Sequence, residues 1–273
     1  MLNGPIIGAM ATGSQNATTG VLVLAGSSGR VDIQRAELFA SAGTKALALQ
    51  WFGGPHQTPG ICEVPLETFI LAIDYLAARG CQRFVIVGTS KGAEAALLVS
   101  IIDPRVDLVV AISPSSVVWG NVGPGIDGVS WPERSSWSFE GKPYAFVPAD
   151  PELTPRYRDG LVSYRSLFEH CLQHEQNAIE SAVIPVEKTS AHLILVAGGD
   201  DALWPSDIFA RQISERRQRH GLSVELVFDA EAGHRVLLPG ETTPRSTKHA
   251  HGGTDAADSA LGNAAWQAIV KHL

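Results

Sequence analysis

A serine hydroxyl attacks a carbonyl only if it is held out on a tight turn beside a base and a source of positive potential. The stretch Arg83 to Leu98 has that form: an apolar run, then Gly88-Thr89-Ser90-Lys91-Gly92, then an alanine-rich segment. A strand, a Gly-x-Ser-x-Gly turn and a helix in that order expose the serine at a strained corner. The two glycines fit because side chains there would strike neighbouring backbone. The positive end of the following helix favours negative charge developing near Ser90. An ordinary strand-to-helix turn, with Ser90 as N-cap, is the plain alternative.

The hydroxyl needs a base and the base an orienting acid. Among nine histidines, His234 in Ala232-Gly233-His234 follows the last strong strand candidate, where such a base is delivered. His170 and His174 have the i, i+4 spacing of a metal pair but no third ligand, so they read as a solvated helix face. His249 and His251 fall in a polar tract, read as an exposed loop, and His56, His192, His220 and His272 have no evident partner. The acid comes from Gly198-Gly199-Asp200-Asp201-Ala202-Leu203-Trp204-Pro205-Ser206, which offers Asp200 and Asp201. A Gly-x-x-Asp pattern followed four residues later by proline is met by Asp201. The chain order Ser90, Asp201, His234 is that of α/β-hydrolases.

An attacked carbonyl also needs two backbone N–H donors. Lys91, following the nucleophile, supplies one. The other is expected in Ala25-Gly26-Ser27-Ser28-Gly29, from Ser28 or its neighbour Ser27, where small residues let backbone approach a substrate. The Lys91 side chain is expected either on a phosphate or in solvent.

Positioning these groups requires buried strands that alternate with helices. Short apolar runs at 21–25, 45–50, 83–87, 106–112, 193–197 and 224–228 read as strands buried on both faces. Between them, 65–80 places Leu66, Phe69, Ile70, Ile73 and Leu76 on one helical face, with Pro65 in the first turn and Gly80 at the end. The fold class is therefore α/β: an α/β-hydrolase fold with a mostly parallel, doubly wound sheet. Residues 1–19 read as a loop or weak hairpin, and 20–273 as a single catalytic domain. A cap-like insertion around residues 113–191 interrupts the rhythm, rich in Trp, Gly and Pro at first and helical over 157–180. Trp119, Trp131 and Trp137 are candidates to line a substrate pocket beneath it or simply to pack on the core.

The 273 residues are 45% hydrophobic and 18% charged, enough for a large core and unlike a disordered chain. With 21 Lys and Arg against 28 Asp and Glu, the net charge of −7 offers no footprint for nucleic acid. No apolar run approaches the length of a membrane span, and the first residues lack a secretory pattern, so a cytoplasmic protein is expected. Cys62, Cys81 and Cys171 are scattered and odd in number, which suits buried thiols better than disulfides or a metal site.

Several segments together resemble a known family: Val87 to Glu94, Ile184 to Lys188, Gly198 to Ser206, Ala232 to His234, and Gly252-Gly253-Thr254 leading to Trp266. From about residue 20 onward the chain resembles the C-terminal catalytic domain of the acyl-CoA thioester hydrolases and bile acid-CoA:amino acid N-acyltransferases. The resemblance implies acyl chemistry through a covalent intermediate on Ser (thioesterases) or Cys (some acyltransferases), and position 90 is Ser. It also places the triad acid at Asp201. Mammalian members carry an N-terminal β-sandwich for which this chain has no room.

The leading expectation is hydrolysis of an acyl thioester by a Ser90–His234–Asp201 triad. Coenzyme A or a carrier phosphopantetheine would enter as part of the substrate, with no separate cofactor and no metal. The partner is then a small acyl thioester, with an acyl carrier protein as a further candidate. Transfer of the acyl group to an amine or alcohol, carboxylester or dienelactone-type hydrolysis, and a non-catalytic binding module are the alternatives.

Overall fold

The computed structural model of the chain describes residues 1–2, 4, 6–150 and 152–273. Seven strands form the central sheet: β1 (Ile7–Thr12), β2 (Thr19–Leu24), β3 (Lys45–Gln50), β4 (Arg83–Thr89), β5 (Val106–Ile112), β6 (His192–Gly198) and β7 (Glu225–Asp229). Their spatial order is β1-β3-β2-β4-β5-β6-β7. All neighbours pair in parallel except β1, which runs antiparallel to β3. Residues 1–19, expected as a loop or weak hairpin, thus contribute an edge strand. Its pairing residues are mostly small, Gly8, Ala9 and Ala11, with Met10 packed on the core, so it lacks the β-branched run that marks the other strands. An added Cβ at Gly8 would lie 2.2 Å from the Ala48 carbonyl oxygen, which fixes glycine at this close pairing.

The helices are α1 (Ile33–Ser41), α2 (Glu67–Ala77), α3 (Lys91–Ile102), α4 (Arg165–His174), α5 (Gln176–Ala182), α6 (Ser206–Arg219) and α7 (Asp255–Ile269). Side chains alternate across each buried strand. Leu22 and Leu24 of β2, with Phe84 and Ile86 of β4, face one core that holds Phe69 and Ile73 of α2, Leu97 of α3 and Phe209 of α6. Val21, Val23, Val85 and Val87 face the other, against Phe39 of α1 and Leu261 and Ala265 of α7. Each of the larger side chains, the Val, Leu, Ile and Phe, contributes about 1.5–3 kcal/mol by leaving water. Sheet order reverses between β2 and β4, and a crevice opens at the carboxyl ends of strands at such a switch.

Helix α2 begins at Glu67 rather than Pro65, because Val64–Pro65 instead pairs in parallel with Trp137-Ser138 of the insertion. Gly80, at φ 85°, turns the chain after it. In the insertion, 156–163 forms a hairpin rather than the start of a helix, and the helical part is α4 and α5. Among the described residues, no helix is long and apolar enough to cross a membrane.

Candidate active site

Ser90 stands between β4 and α3 with φ 56° and ψ −120°, a backbone state that L residues rarely adopt and that marks a strained turn. The turn closes because its flanks lack side chains. A Cβ at Gly88 would sit 2.2 Å from the Gly92 carbonyl oxygen, and one at Gly92 would sit 2.5 Å from that of Ala25. Ser90 N–H donates to the Ile112 carbonyl at 2.9 Å, which ties the corner to the end of β5. The loop after β2 passes close by: a Cβ on Gly26 would lie 3.0 Å from Ser90 Cβ and 3.6 Å from its Oγ. Ser27 and Ser28 are exposed in the turn beyond. Gly26, not singled out in the sequence, is the residue of this loop whose Cα comes against Ser90.

Asp201 and His234 meet after β6 and β7. Asp201 is fully buried; its Oδ2 lies 2.8 Å from His234 Nδ1 and accepts from Ser206 Oγ at 2.6 Å. Its Oδ1 accepts from the Leu203 and Trp204 N–H groups at 2.9 and 3.2 Å. A buried carboxylate with four such partners is held in one orientation. The Trp204 ring stands edge-on to His234, 5.8 Å between centroids, and its Nε1 donates to the Ser113 carbonyl. Ser113 Oγ in turn donates to the His234 carbonyl at 3.0 Å. Ser113 follows β5, whose Ile112 carbonyl receives Ser90 N–H, so one short chain of contacts links Ser90 to His234. No direct hydrogen bond joins their side chains among the described residues. Hydrogen bonds of this kind often form only with substrate bound.

Asp200 points elsewhere. Both its oxygens engage Arg158, at 2.7 and 2.8 Å, and Oδ2 accepts from Gly253 N–H at 2.8 Å. The Arg158 guanidinium, against partial burial, holds the Asp200 carboxyl below its ordinary range. Gly252 is needed there, since a Cβ would lie 1.7 Å from the Asp200 carbonyl oxygen. Arg165 of α4 donates to the Asp201 carbonyl at 2.9 Å and to Asp207 at 2.8 Å, so the insertion clamps the acid loop.

Lys91 is neither solvated nor free for a phosphate: its side chain is buried, with Nζ 2.8 and 2.7 Å from the two oxygens of Glu94. The cause is the helix turn, which brings positions 91 and 94 onto one inward face. Burial pushes the lysine down and the glutamate up from their ordinary values, and the pairing opposes both shifts. Lys91 N–H faces no backbone acceptor among the described residues. Glu94 Oε1 also accepts from Trp137 Nε1 at 2.7 Å and Trp119 N–H at 3.1 Å.

The three insertion tryptophans therefore part company. Trp137 is wholly buried against Trp51 and Phe69; Trp119 is buried against Phe168 and Phe209, with its Nε1 on Ser115 Oγ; Trp131 is 71% exposed. Hollows of about 310 Å³, along Arg30 to Arg35 and Glu241 to Pro244, and about 210 Å³, between α5 and α6, are not lined by Ser90 or His234.

His251, expected in an exposed loop, lies beside His234 with 5.7 Å between ring centroids. Its carbonyl accepts His234 N–H at 2.8 Å, and its Nδ1 is buried without a partner. Burial first, then the nearby His234, lowers its pKa to about 4. The polar tract around it is used internally. Glu241 receives two bonds from the buried Arg35, whose Nη1 reaches Thr89 beside the corner, and Arg245 engages Asp255 and Asp258. His170 and His174 stack on α4, His174 on its exposed face.

Known proteins resemble this arrangement. The family model described as "BAAT / Acyl-CoA thioester hydrolase C terminal" matches residues 64–273. Mouse acyl-coenzyme A thioesterase 6 is 26% identical over 263 residues, covering 92% of this chain and 58% of the relative. Mouse acyl-coenzyme A amino acid N-acyltransferase 1 is 26% identical over 224 residues, covering 81% and 49%. The chain thus spans about half to three fifths of the length of these relatives. Among solved structures, a putative dienelactone hydrolase from Klebsiella pneumoniae superposes with a TM-score of 0.53 at 14% identity, covering 97% of both chains. A dienelactone hydrolase-like promiscuous phosphotriesterase from metagenomic libraries gives 0.53 at 13% identity over 97% of this chain and 90% of that one. These likenesses show the α/β-hydrolase fold, and the family match over residues 64–273 is more specific: the chain belongs to the BAAT / acyl-CoA thioester hydrolase family, through that family's C-terminal domain.

Proposed function

We propose that the protein hydrolyses acyl-CoA thioesters through an acyl-enzyme on Ser90. The observation that carries this reading is the buried His234–Asp201 hydrogen bond beside the strained Ser90 corner, in a chain of this family. With Nδ1 directed at Asp201, His234 Nε2 is the nitrogen left to take the Ser90 proton. Ser90 Oγ then bonds to the thioester carbon while the carbonyl pair moves onto oxygen. Lys91 N–H and an N–H from the loop at Gly26 to Ser28 receive that charge. Collapse expels the coenzyme A thiolate, which His234 protonates, and water attacks the acyl-enzyme by the same route in reverse. Coenzyme A fits as the carrier because the relatives' names carry it; nothing supports an acyl carrier protein. No separate cofactor or metal is part of this scheme.

Transfer to an amine is the second reading, supported by the equal identity to the amino acid N-acyltransferase. Serine at position 90 favours hydrolysis, since the family resemblance ties cysteine to some of the acyltransferases. Incubation with an acyl-CoA, with and without amino acids, followed by mass analysis of products and of the Ser90 peptide, separates the readings. Free acid and a Ser90 adduct are expected. An amide product moves the protein to the transferase reading, and absence of any turnover or adduct removes both.

A further inference from the structure

At the end of the sheet away from Ser90, three side chains from distant parts of the chain bring donor atoms together. His192 opens β6, Glu225 opens β7, and His272 lies in the final 3-10 turn, Val270–His272. Glu225 Oε2 is 3.5 Å from His272 Nε2 and 4.0 Å from His192 Nε2, and one donor atom of each residue lies within 4.8 Å of the other two. The imidazoles stack at 4.3 Å between centroids and 27° between planes. His192 Nε2 is buried without a hydrogen-bond partner, a deficit that native structures usually fill.

We propose that His192, Glu225 and His272 bind a divalent transition cation of the zinc class, with water completing the coordination. Two imidazoles and one carboxylate are a donor set such ions favour over Mg²⁺ or Ca²⁺. Ligands about 2.0–2.2 Å from a tetrahedral ion lie roughly 3.3–3.6 Å apart. The Glu225–His272 pair already has that spacing, Glu225–His192 is 4.0 Å, and the two histidine donors lie within 4.8 Å of each other. Each of the three side chains is about one third exposed, 32% for each histidine and 34% for Glu225, so the rings have room to splay.

The surroundings permit a cation. Arg83 and Arg217 face the same corner, but Arg83 Nη1 is 4.0 Å from Asp107 and Arg217 is engaged by the carbonyls of Val186, Thr189, Ala191 and Ser223. Arg83 Nη2 holds the His272 carbonyl at 2.8 Å and so anchors the turn that carries the ligand. A bound ion would fasten that turn to β6 and β7 and stabilise the folded chain by mass action. The site lies apart from the acyl chemistry and does not depend on it.

The test uses the untagged full chain, freed of metal by chelation and titrated with Zn²⁺ and, separately, Co²⁺. One ion per chain, a rise in melting temperature with Zn²⁺ and the visible bands of tetrahedral Co²⁺ are expected. His192→Ala, His272→Ala and Glu225→Gln should each weaken binding at least about tenfold, the lower end of what even an outer-shell partner is worth. The His170→Ala/His174→Ala variant should bind as the parent does. Binding that survives all three ligand substitutions, binding lost only with His170 and His174, or no saturable binding by the parent each overturns the proposal.

Discussion

Trp137 Nε1 donates to Glu94 Oε1 at 2.7 Å, joining the insertion to the helix that follows Ser90. The same oxygen receives Lys91 Nζ and Trp119 N–H, so a buried ion pair anchors the two buried tryptophans of the insertion, Trp119 and Trp137. This part of the insertion is built into the core and is not a free lid. Breaking a buried pair from one side leaves the other charge uncompensated, which costs about 3–5 kcal/mol. Glu94→Ala should lose that much in denaturant unfolding. Lys91→Met/Glu94→Gln, which removes both charges and keeps an acceptor for the tryptophan, should recover most of it. Trp131→Ala, at an exposed position, should stay within about 0.5 kcal/mol of the parent.

Ser90→Ala should abolish acyl-CoA turnover, by roughly 10⁴- to 10⁶-fold, and should stop labelling by a fluorophosphonate. Its melting temperature should not fall, because alanine removes a small hydroxyl that makes no side-chain hydrogen bond among the described residues. An adduct found on Cys62, Cys81 or Cys171 instead would show that Ser90 is not the nucleophile.

The two aspartates separate by what they touch. Asp201→Asn should lower kcat by up to about 10⁴-fold, since the amide cannot hold His234 in the same tautomer and charge state. Asp200→Asn disturbs the Arg158 pair and the Gly253 bond and should keep most activity. Measuring kcat for both, with thermal melts as a folding control, decides between them; the opposite ranking would transfer the role to Asp200.

His251 gives a pH signature. Its folded pKa of about 4 lies below the ordinary 6.5, so the unfolded chain binds more protons between those values. Its contribution to stability is therefore complete above pH 6.5 and declines as pH falls towards 4. Unfolding free energies across that window should drop less steeply for His251→Gln than for the parent. Identical slopes would mean that His251 titrates normally in the folded protein.

Much of the site could be read directly from local spacing. Five of the seven strands are continuous apolar runs because both their faces are buried, and a short run records that environment directly; the run at 224–228, expected to be buried on both faces, is instead the edge strand β7 with Leu226 and Phe228 exposed, because no strand covers its outer side. The Ser90 corner and the acid loop are largely local too: Gly88 is fixed by a clash with Gly92 four residues on, although Gly92 itself is fixed by the remote Ala25 carbonyl, and Asp201 bonds its own loop at Leu203, Trp204 and Ser206. What tertiary structure decided is contact between remote positions. Glu94 meets Trp137 across 43 residues, His251 comes against His234, and His192 reaches His272 from the far end of the chain. Strand β1 is not legible in the sequence because its close pairing with β3 sets small residues, Gly8, Ala9 and Ala11, among the larger Ile7 and Met10 and leaves no β-branched run. The burial of the Lys91 side chain is not legible in the sequence for a similar reason, since a charge is drawn inward only by a partner that the helix turn presents and the insertion encloses. Sequence records a residue's preference for water or burial, whereas the partner that satisfies a buried polar group is chosen only when the layers pack.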